Sequence, residues 1–186
     1  MYKESDEREL ARLCSEGDRL AEEELYKRYA ARVYTLCRRY SAQSADDSDL
    51  LQEVFIKALG KISSYKYSGP GSLYSWICRL AVNLALNQIR RKHWVTVSFD
   101  RQAGDDIPEP TEAQLGAIPQ EKLLEWISAL PDMKRAVFNL YCIDGYSHKE
   151  IGRKLGISEK GSAGMLAKAR KQLKEEIKSY LKDTER

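Results

Sequence analysis

With 186 residues the chain has room for one or two small domains with real cores. Charged residues make up 32% of it, yet the formal net charge is only +3. That balance excludes tight, indiscriminate nucleic-acid binding by the whole chain, which draws on many phosphate contacts.

Residues 1–19 are polar, and a weakly amphipathic helix is expected around Leu10, Leu13 and Leu20. From Glu22 to Tyr40 the apolar and aromatic set Leu25, Tyr26, Tyr29, Val33, Leu36, Cys37 and Tyr40 repeats at helical spacing, which predicts a core-facing stripe. Ser41–Ser48 is a polar break rich in capping residues. A further helix is predicted from about Asp49 to Leu59, where Leu51, Val54, Phe55, Ala58 and Leu59 match i, i+3, i+4, i+7 and i+8. Its other side presents Asp49, Gln52, Glu53, Ile56 and Lys57. An exposed isoleucine beside acidic and amide groups is either chance or the rim of a partner-binding surface.

Gly69-Pro-Gly71 interrupts regular structure, so residues 62–71 read as a loop. Tyr65 and Tyr67 in that loop either offer faces for base stacking or tuck onto the bundle. Ser72 is placed to cap the next helix, whose apolar stripe is Leu73, Trp76, Ile77, Leu80, Ala81 and Leu84. The opposite face carries Arg79, Asn83, Asn87, Arg90 and Arg91, extended by Lys92, His93 and Trp94. A solvated face is one explanation. Asparagines are poor helix formers, however, and amides with guanidinium groups on one stripe suit a nucleic-acid strand.

Thr96–Pro119 changes character. Three prolines, two glycines and five acidic residues give a chain not expected to bury an apolar face, and it reads as a linker. Charge follows this division: Lys+Arg against Asp+Glu is 16 to 13 over residues 1–95, 1 to 5 over 96–120 and 14 to 10 over 121–186. Two mildly basic segments therefore flank an acidic connector.

The last segment begins with the apolar residues Leu123, Leu124, Trp126, Ile127 and Leu130. Pro131 breaks the helix, and Asp132 is expected to cap the next, whose stripe is Met133, Ala136, Val137, Leu140 and Tyr141. Asp144-Gly145 then turns the chain into Tyr-Ser-His-Lys-Glu-Ile-Gly-Arg-Lys-Leu-Gly-Ile-Ser158. Ser147 and Glu150 form a capping box, with Tyr146 and Ile151 as its hydrophobic staple. Gly156 is suited to the left-handed conformation that ends the short helix, Ile157 is expected to be buried, and Ser158 can N-cap a longer helix through Leu166, Ala169, Leu173 and Ile177. This is either a helix-turn-helix that reads duplex DNA or an ordinary helical hairpin.

Cys14, Cys37, Cys78 and Cys142 are scattered without a Cys-x-x-Cys pair, and His93 and His148 lie far apart, so nothing has metal-ligand spacing. No signal peptide or bilayer-length apolar run is apparent. The expectations are therefore no metal or cofactor, no small-molecule substrate, no membrane insertion, and a cytoplasmic location with reduced thiols. An enzyme would need a titratable constellation or a glycine-rich phosphate loop after a strand, and neither is found.

Taken together, the motifs resemble a known family. Asp49-Leu-Leu-Gln-Glu-Val-Phe-Ile-Lys-Ala-Leu59 and Ser72-Leu-Tyr-Ser-Trp-Ile-Cys-Arg-Leu-Ala-Val-Asn83, ending in Ile89-Arg-Arg-Lys92, resemble region 2 of the extracytoplasmic-function (ECF) sigma factors. Leu130-Pro-Asp-Met-Lys-Arg-Ala-Val-Phe138, the Gly145–Ser158 stretch and Ala167-Lys-Ala-Arg170 resemble region 4. The resemblance implies an all-α chain of two small helical domains joined by a flexible linker: region 2 over residues 1–95, the linker over 96–120 and region 4 over 121–186. It implies as partners bacterial core RNA polymerase, through its clamp helices and flap, promoter DNA, and an anti-sigma factor. Asp49, Leu50, Gln52, Glu53, Phe55 and Ile56 would dock on the clamp helices. Tyr65, Tyr67, Trp76, Arg79, Asn83, Asn87, Arg90, Arg91 and Lys92 would recognise and open the −10 element. Arg153, Lys154, Ser158, Lys160, Ser162, Ala163, Lys168, Arg170 and Lys171 would engage the −35 element. One departure from the family pattern is the run Glu159-Lys-Gly-Ser-Ala-Gly-Met165. Each of its glycines costs a helix interior about 1 kcal/mol relative to alanine, and Ala163 and Met165 offer base edges only apolar contact. A stand-alone helix-turn-helix regulator is the rival reading; it leaves the Asp49–Phe55 motif and the Asn/Arg helix unexplained.

Overall fold

Side-chain capping groups mark where several of the helices begin. The computed structural model describes residues 6–41, 44–93 and 110–184. Among these residues it is helical, in the order α1 (Glu7–Ser15), α2 (Arg19–Tyr40), α3 (Ser44–Lys61), a 3₁₀ turn (Ile62–Ser64), α4 (Ser72–His93), α5 (Glu112–Gly116), α6 (Gln120–Ala129), α7 (Asp132–Phe138), a π turn (Asn139–Ile143), α8 (His148–Leu155) and α9 (Glu159–Thr184). No strand occurs among the described residues. Trp94 and most of the acidic connector lie outside them.

The described backbone divides into two compact units, Met1–Ala85 and Leu86–Arg186, and the division falls inside α4. In the first unit, the single helix expected around Leu10 to Leu20 is in fact two. Gly17 takes a left-handed φ of 81°, and the Asp18 carboxylate accepts the N–H groups of Leu20 at 2.9 Å and Ala21 at 3.1 Å, which starts α2. Leu20 is consequently on the surface, 62% exposed. The buried stripe of α2 runs through Leu25, Tyr29, Val33, Leu36, Cys37 and Tyr40, as its spacing predicted, but Tyr26 projects outward. Helix α3 begins at Ser44, earlier than the Asp49 expected, so most of the cap-rich break, residues 44–48, belongs to its first turns.

In the second unit, Pro131 occupies the N-cap position of α7 and Asp132 is its first residue, so Asp132 does not cap. Its carboxylate instead accepts from Arg135 at 2.5 Å. Arg135 is only 1% exposed, and it also donates to the carbonyls of Ser128 at 3.0 Å and Leu130 at 2.7 Å. One guanidinium thus closes the end of α6 and ties it to α7. The widened turn after α7, with Asp144 N–H on Asn139 C=O at 2.9 Å, delivers the chain to Gly145 at φ 74°.

The end of the connector also departs from expectation. Thr111 and Gln114 form a capping box for α5, and Ile118 is buried in a cluster with Trp126 and Ile177, against which Leu123, Leu173, Tyr180 and Leu181 pack. The Trp126 and Tyr180 rings meet edge to face at 5.6 Å. The acidic, proline-containing composition masked one apolar residue that finds its partners on α6 and on the far end of α9.

Candidate nucleic-acid and partner interfaces

The first unit presents two surfaces of interest. On α3, residues Asp49, Gln52, Glu53 and Ile56 fall at i, i+3, i+4 and i+7 and are all exposed, Ile56 by 72%. Leu50 and Phe55 belong to the expected docking set but turn inward, at 1% and 4% exposure. They lie on the stripe with Leu51, Val54 and Ala58 that faces the core, so they can support the rim only from beneath. Tyr26 of α2, read from sequence as core, is 44% exposed and packs edge to face on Phe55 at 4.8 Å. An aromatic at the edge of an apolar stripe carries no sequence signal of which way it turns.

The loop into α4 forms the second surface. Tyr65 is half-buried, with its hydroxyl 2.5 Å from Ser72 Oγ and its ring 5.6 Å from that of Trp76. Burial pushes the Tyr65 hydroxyl above its ordinary pKa, and the Ser72 hydrogen bond opposes that shift. Tyr67 is exposed, and Trp76 is half-buried at the margin of the stripe Leu73, Ile77, Ala81 and Leu84. Ser72, expected as the cap of α4, is its first residue, and its hydroxyl is held by Tyr65 and by the Ser68 N–H at 3.3 Å. Along α4, which continues from the first unit into the second, Arg79 and Asn83 of the first are exposed, and in the second Arg91 is exposed while Asn87 and Arg90 are half-buried and hydrogen-bonded to each other. The Lys92 side chain lies outside the described residues.

In the second unit the predicted capping box is present. Ser147 N–H and Oγ donate to Glu150 Oε2 at 2.9 and 2.6 Å, and these bonds hold the exposed Glu150 carboxyl below its ordinary pKa. Gly156 ends α8 at φ 73°, and Ser158 Oγ accepts the Gly161 N–H at 3.0 Å to start α9. Ile157, expected to be buried, is half-buried.

Gly152 was missed as a residue of consequence. A Cβ there would sit 2.7 Å from the Ile157 carbonyl oxygen, so only glycine lets α8 approach the turn this closely. A glycine one turn before the terminating Gly156 was the available signal.

The residues expected to meet the −35 duplex separate into surface and core. Arg153, Ser158, Lys160, Ala163 and Arg170 are exposed, and Lys154, Lys168 and Lys171 are half-buried. Lys154 Nζ lies 4.7 Å from the Tyr146 ring centroid. The Arg170 guanidinium is 5.9 Å from the Tyr141 ring centroid, and its Nη2 is 3.7 Å from Cys142 Sγ. Ser162 does not belong to this surface. It is fully buried, and its hydroxyl is 3.0 Å from His148 Nδ1. Its spacing to Leu166 and Ala169, i+4 and i+7, assigns it to the inward stripe, where the His148 contact satisfies the hydroxyl. His148 in turn stacks on Tyr141 at 4.4 Å. The outward face of α9 is small side chains, Ala163, Gly164 and Ala167, between cationic ones.

Among the described residues no group of three or more His, Cys, Asp and Glu is placed to hold a metal ion, and no helix is long and apolar enough to cross a membrane.

Residues 25–95 match the family model for Sigma-70 region 2, and residues 120–173 match that for Sigma-70 region 4. The chain is 31% identical over 171 residues to ECF RNA polymerase sigma factor SigE of Mycolicibacterium smegmatis, an alignment covering 87% of this chain and 63% of that protein. It is 30% identical over 153 residues to the ECF RNA polymerase sigma-E factor of Escherichia coli, covering 76% of this chain and 78% of the relative. It thus spans less than two thirds of the SigE length. The solved structure described as "Structure of CnrH in complex with the cytosolic domain of CnrY" aligns with a TM-score of 0.46 at 23% identity, over 96% of this chain and 98% of that one.

Proposed function

The chain belongs to the ECF RNA polymerase sigma factors, and from that membership we propose that it binds bacterial core RNA polymerase and directs promoter-specific initiation. The observation that carries the proposal is the presence of both matches, region 2 before region 4, in one chain. Residues 1–95 dock on the polymerase clamp helices through Asp49, Gln52, Glu53 and Ile56, with Tyr26 added to that rim. The loop and α4 capture the −10 element. Residues 121–186 anchor the −35 duplex, and 96–120 connect the two. The polymerase flap and an anti-sigma factor are further partners, and a cytoplasmic location follows from them.

The chemistry is the polymerase's own; this subunit supplies recognition, through two modest modules that act together because they are joined. Anchoring at −35 comes first, through phosphate contacts from Arg153, Lys160, Lys168, Arg170 and Lys171. Unstacking a −10 base then costs about a few kcal/mol, which a base–aromatic stack worth roughly 1–3 kcal/mol offsets. Tyr65, Tyr67 and Trp76 are the available faces, and Arg79, Asn83, Asn87, Arg90 and Arg91 line the strand's path.

Reconstituted transcription with core polymerase and a promoter library tests this directly. Selective initiation is expected, and Arg90→Ala with Arg91→Ala should lower open-complex formation and flatten its salt dependence. Failure to associate with core enzyme, together with unaided binding of an intact duplex operator, would establish the stand-alone regulator instead.

A further inference from the structure

Helix α1 precedes the region 2 match, which starts at residue 25, yet it is bonded into the start of α4. Glu7, the first residue of α1, uses both carboxylate oxygens. Oε1 accepts the Tyr29 hydroxyl at 2.9 Å, and Oε2 accepts the backbone N–H of Leu73 at 3.2 Å. Leu73 is the second residue of α4, so its N–H is one of the donors that a helix leaves unpaired in its first turn. Gly71, whose carbonyl accepts the first N–H of the helix from Ser75, stands at the N-cap position and has no side chain to offer, while the Ser72 hydroxyl is engaged by Tyr65 and Ser68. The cap therefore comes from 66 positions away, and it brings a carboxylate to the positive end of the helix dipole. Burial and then the Glu7 bond raise the pKa of the Tyr29 hydroxyl, which keeps it a donor to that carboxylate. Helix α1 also packs on the Ile62–Ser64 turn, which leads directly into Tyr65.

We infer that Glu7 is a positioning residue for −10 capture. By fixing the first turn of α4 it fixes Ser72, hence the Tyr65 hydroxyl, and hence the Tyr65–Trp76 pair on which an unpaired base would stack. This inference rests on the −10 reading proposed above and extends the reader beyond the family match to α1. Glu7 touches no DNA; it acts through the geometry of the aromatic pair.

The test uses the full chain assembled with core polymerase, well below its melting temperature. The readout is affinity for a single-stranded non-template −10 oligonucleotide whose sequence the unmodified holoenzyme selects from a library. Glu7→Ala should weaken that affinity about tenfold, the size expected for losing a hydrogen bond to a charged acceptor, with affinity for core unchanged. Glu7→Gln should weaken it about threefold. Tyr29→Phe removes the other partner of the carboxylate and should leave oligonucleotide affinity near that of the unmodified protein. Unchanged affinity in Glu7→Ala, or an equal loss in Tyr29→Phe, overturns the inference. If Glu7→Ala does not fold, unchanged affinity in Glu7→Gln overturns it. The Arg90→Ala, Arg91→Ala double variant separates the levels: if it too binds normally, the −10 reading has failed, whereas if it alone binds weakly, only the role of Glu7 has.

Discussion

Replacing Arg135 by alanine should unfold the second unit preferentially, and the structure sets the size of the effect. The side chain is 2% exposed and is bonded to the Ser128 and Leu130 carbonyls and to Asp132, itself 22% exposed. Truncation leaves the end of α6 without these donors and a largely buried carboxylate without its counter-charge. Each unmet buried acceptor costs about 1–3 kcal/mol, and removing one partner of a buried ion pair typically costs about 3–5 kcal/mol. The larger range is the better guide because it includes the stranded charge. Set against a total stability of about 5–15 kcal/mol for a domain of this kind, such a loss leaves the unit marginal. Arg135→Lys keeps the charge but not the planar fork that reaches two carbonyls and a carboxylate together, so it should recover roughly half of the loss. Amide hydrogen exchange on the full chain reads this locally. Protection of the Leu166 and Ala169 amides in α9 should fall by about two to three orders of magnitude in Arg135→Ala, with the α2 amides of the same molecule as reference. Protection within tenfold of the unmodified protein would refute the clamp reasoning.

Gly152→Ala gains about 1 kcal/mol of helix propensity but places a Cβ 2.7 Å from the Ile157 carbonyl oxygen. That oxygen is backbone, and the turn is held by the Gly156 and Ile157 N–H groups on Gly152 C=O at 2.9 and 3.1 Å. Overpacking should prevail, with a net loss of about 1–2 kcal/mol in urea titration; a gain in stability would contradict it. Thiol reactivity provides a pH-dependent check. Burial, aided by the Asp47 charge, pushes the Cys37 thiol up to about 12, and burial with Glu22 and Asp18 pushes Cys14 up to about 11. Both are neutral thiols at pH 8, whereas Cys142 is exposed, and it is the thiolate that reacts. Alkylation at pH 8 followed by peptide mass analysis should label Cys142 first, with Cys14 and Cys37 reached only on unfolding; early labelling of Cys37 would mean that the α2 core is open.

The helix-turn-helix is the most legible part of the chain because its determinants are local. The Ser147–Glu150 box, the left-handed Gly156 and the Ser158 cap each join residues within four positions of one another, so composition and spacing suffice to place them. The buried stripe of α2 is legible for the same reason, since a period of 3.6 residues makes one face apolar. That of α4 is legible in part: Leu73, Ile77, Ala81 and Leu84 are buried as spaced, whereas Leu80 is half-buried and Val82, Leu86 and Ile89 are buried beyond the expected set. The connector is less legible. Its proline and acid content predicted a chain with nothing to bury, and Ile118 is nonetheless covered by Trp126 and Ile177.

Side chains at the border of a stripe, and bonds between distant segments, were decided by the tertiary structure. Leu50 faces the core while Tyr26 does not, although both sit at the border of an apolar stripe, and Phe55 follows the stripe that its spacing predicted rather than the docking rim. Ser162 is polar by composition and interior by packing, because His148 satisfies its hydroxyl. Glu7 looked like one acid among several in a polar leader and instead caps a helix 66 residues on. Amino-acid order encodes periodicity and end groups directly, because these are interactions along the chain. Which face is covered, and which donor meets which acceptor across the bundle, depends on how helices pack, and that is set only when all of them are in place.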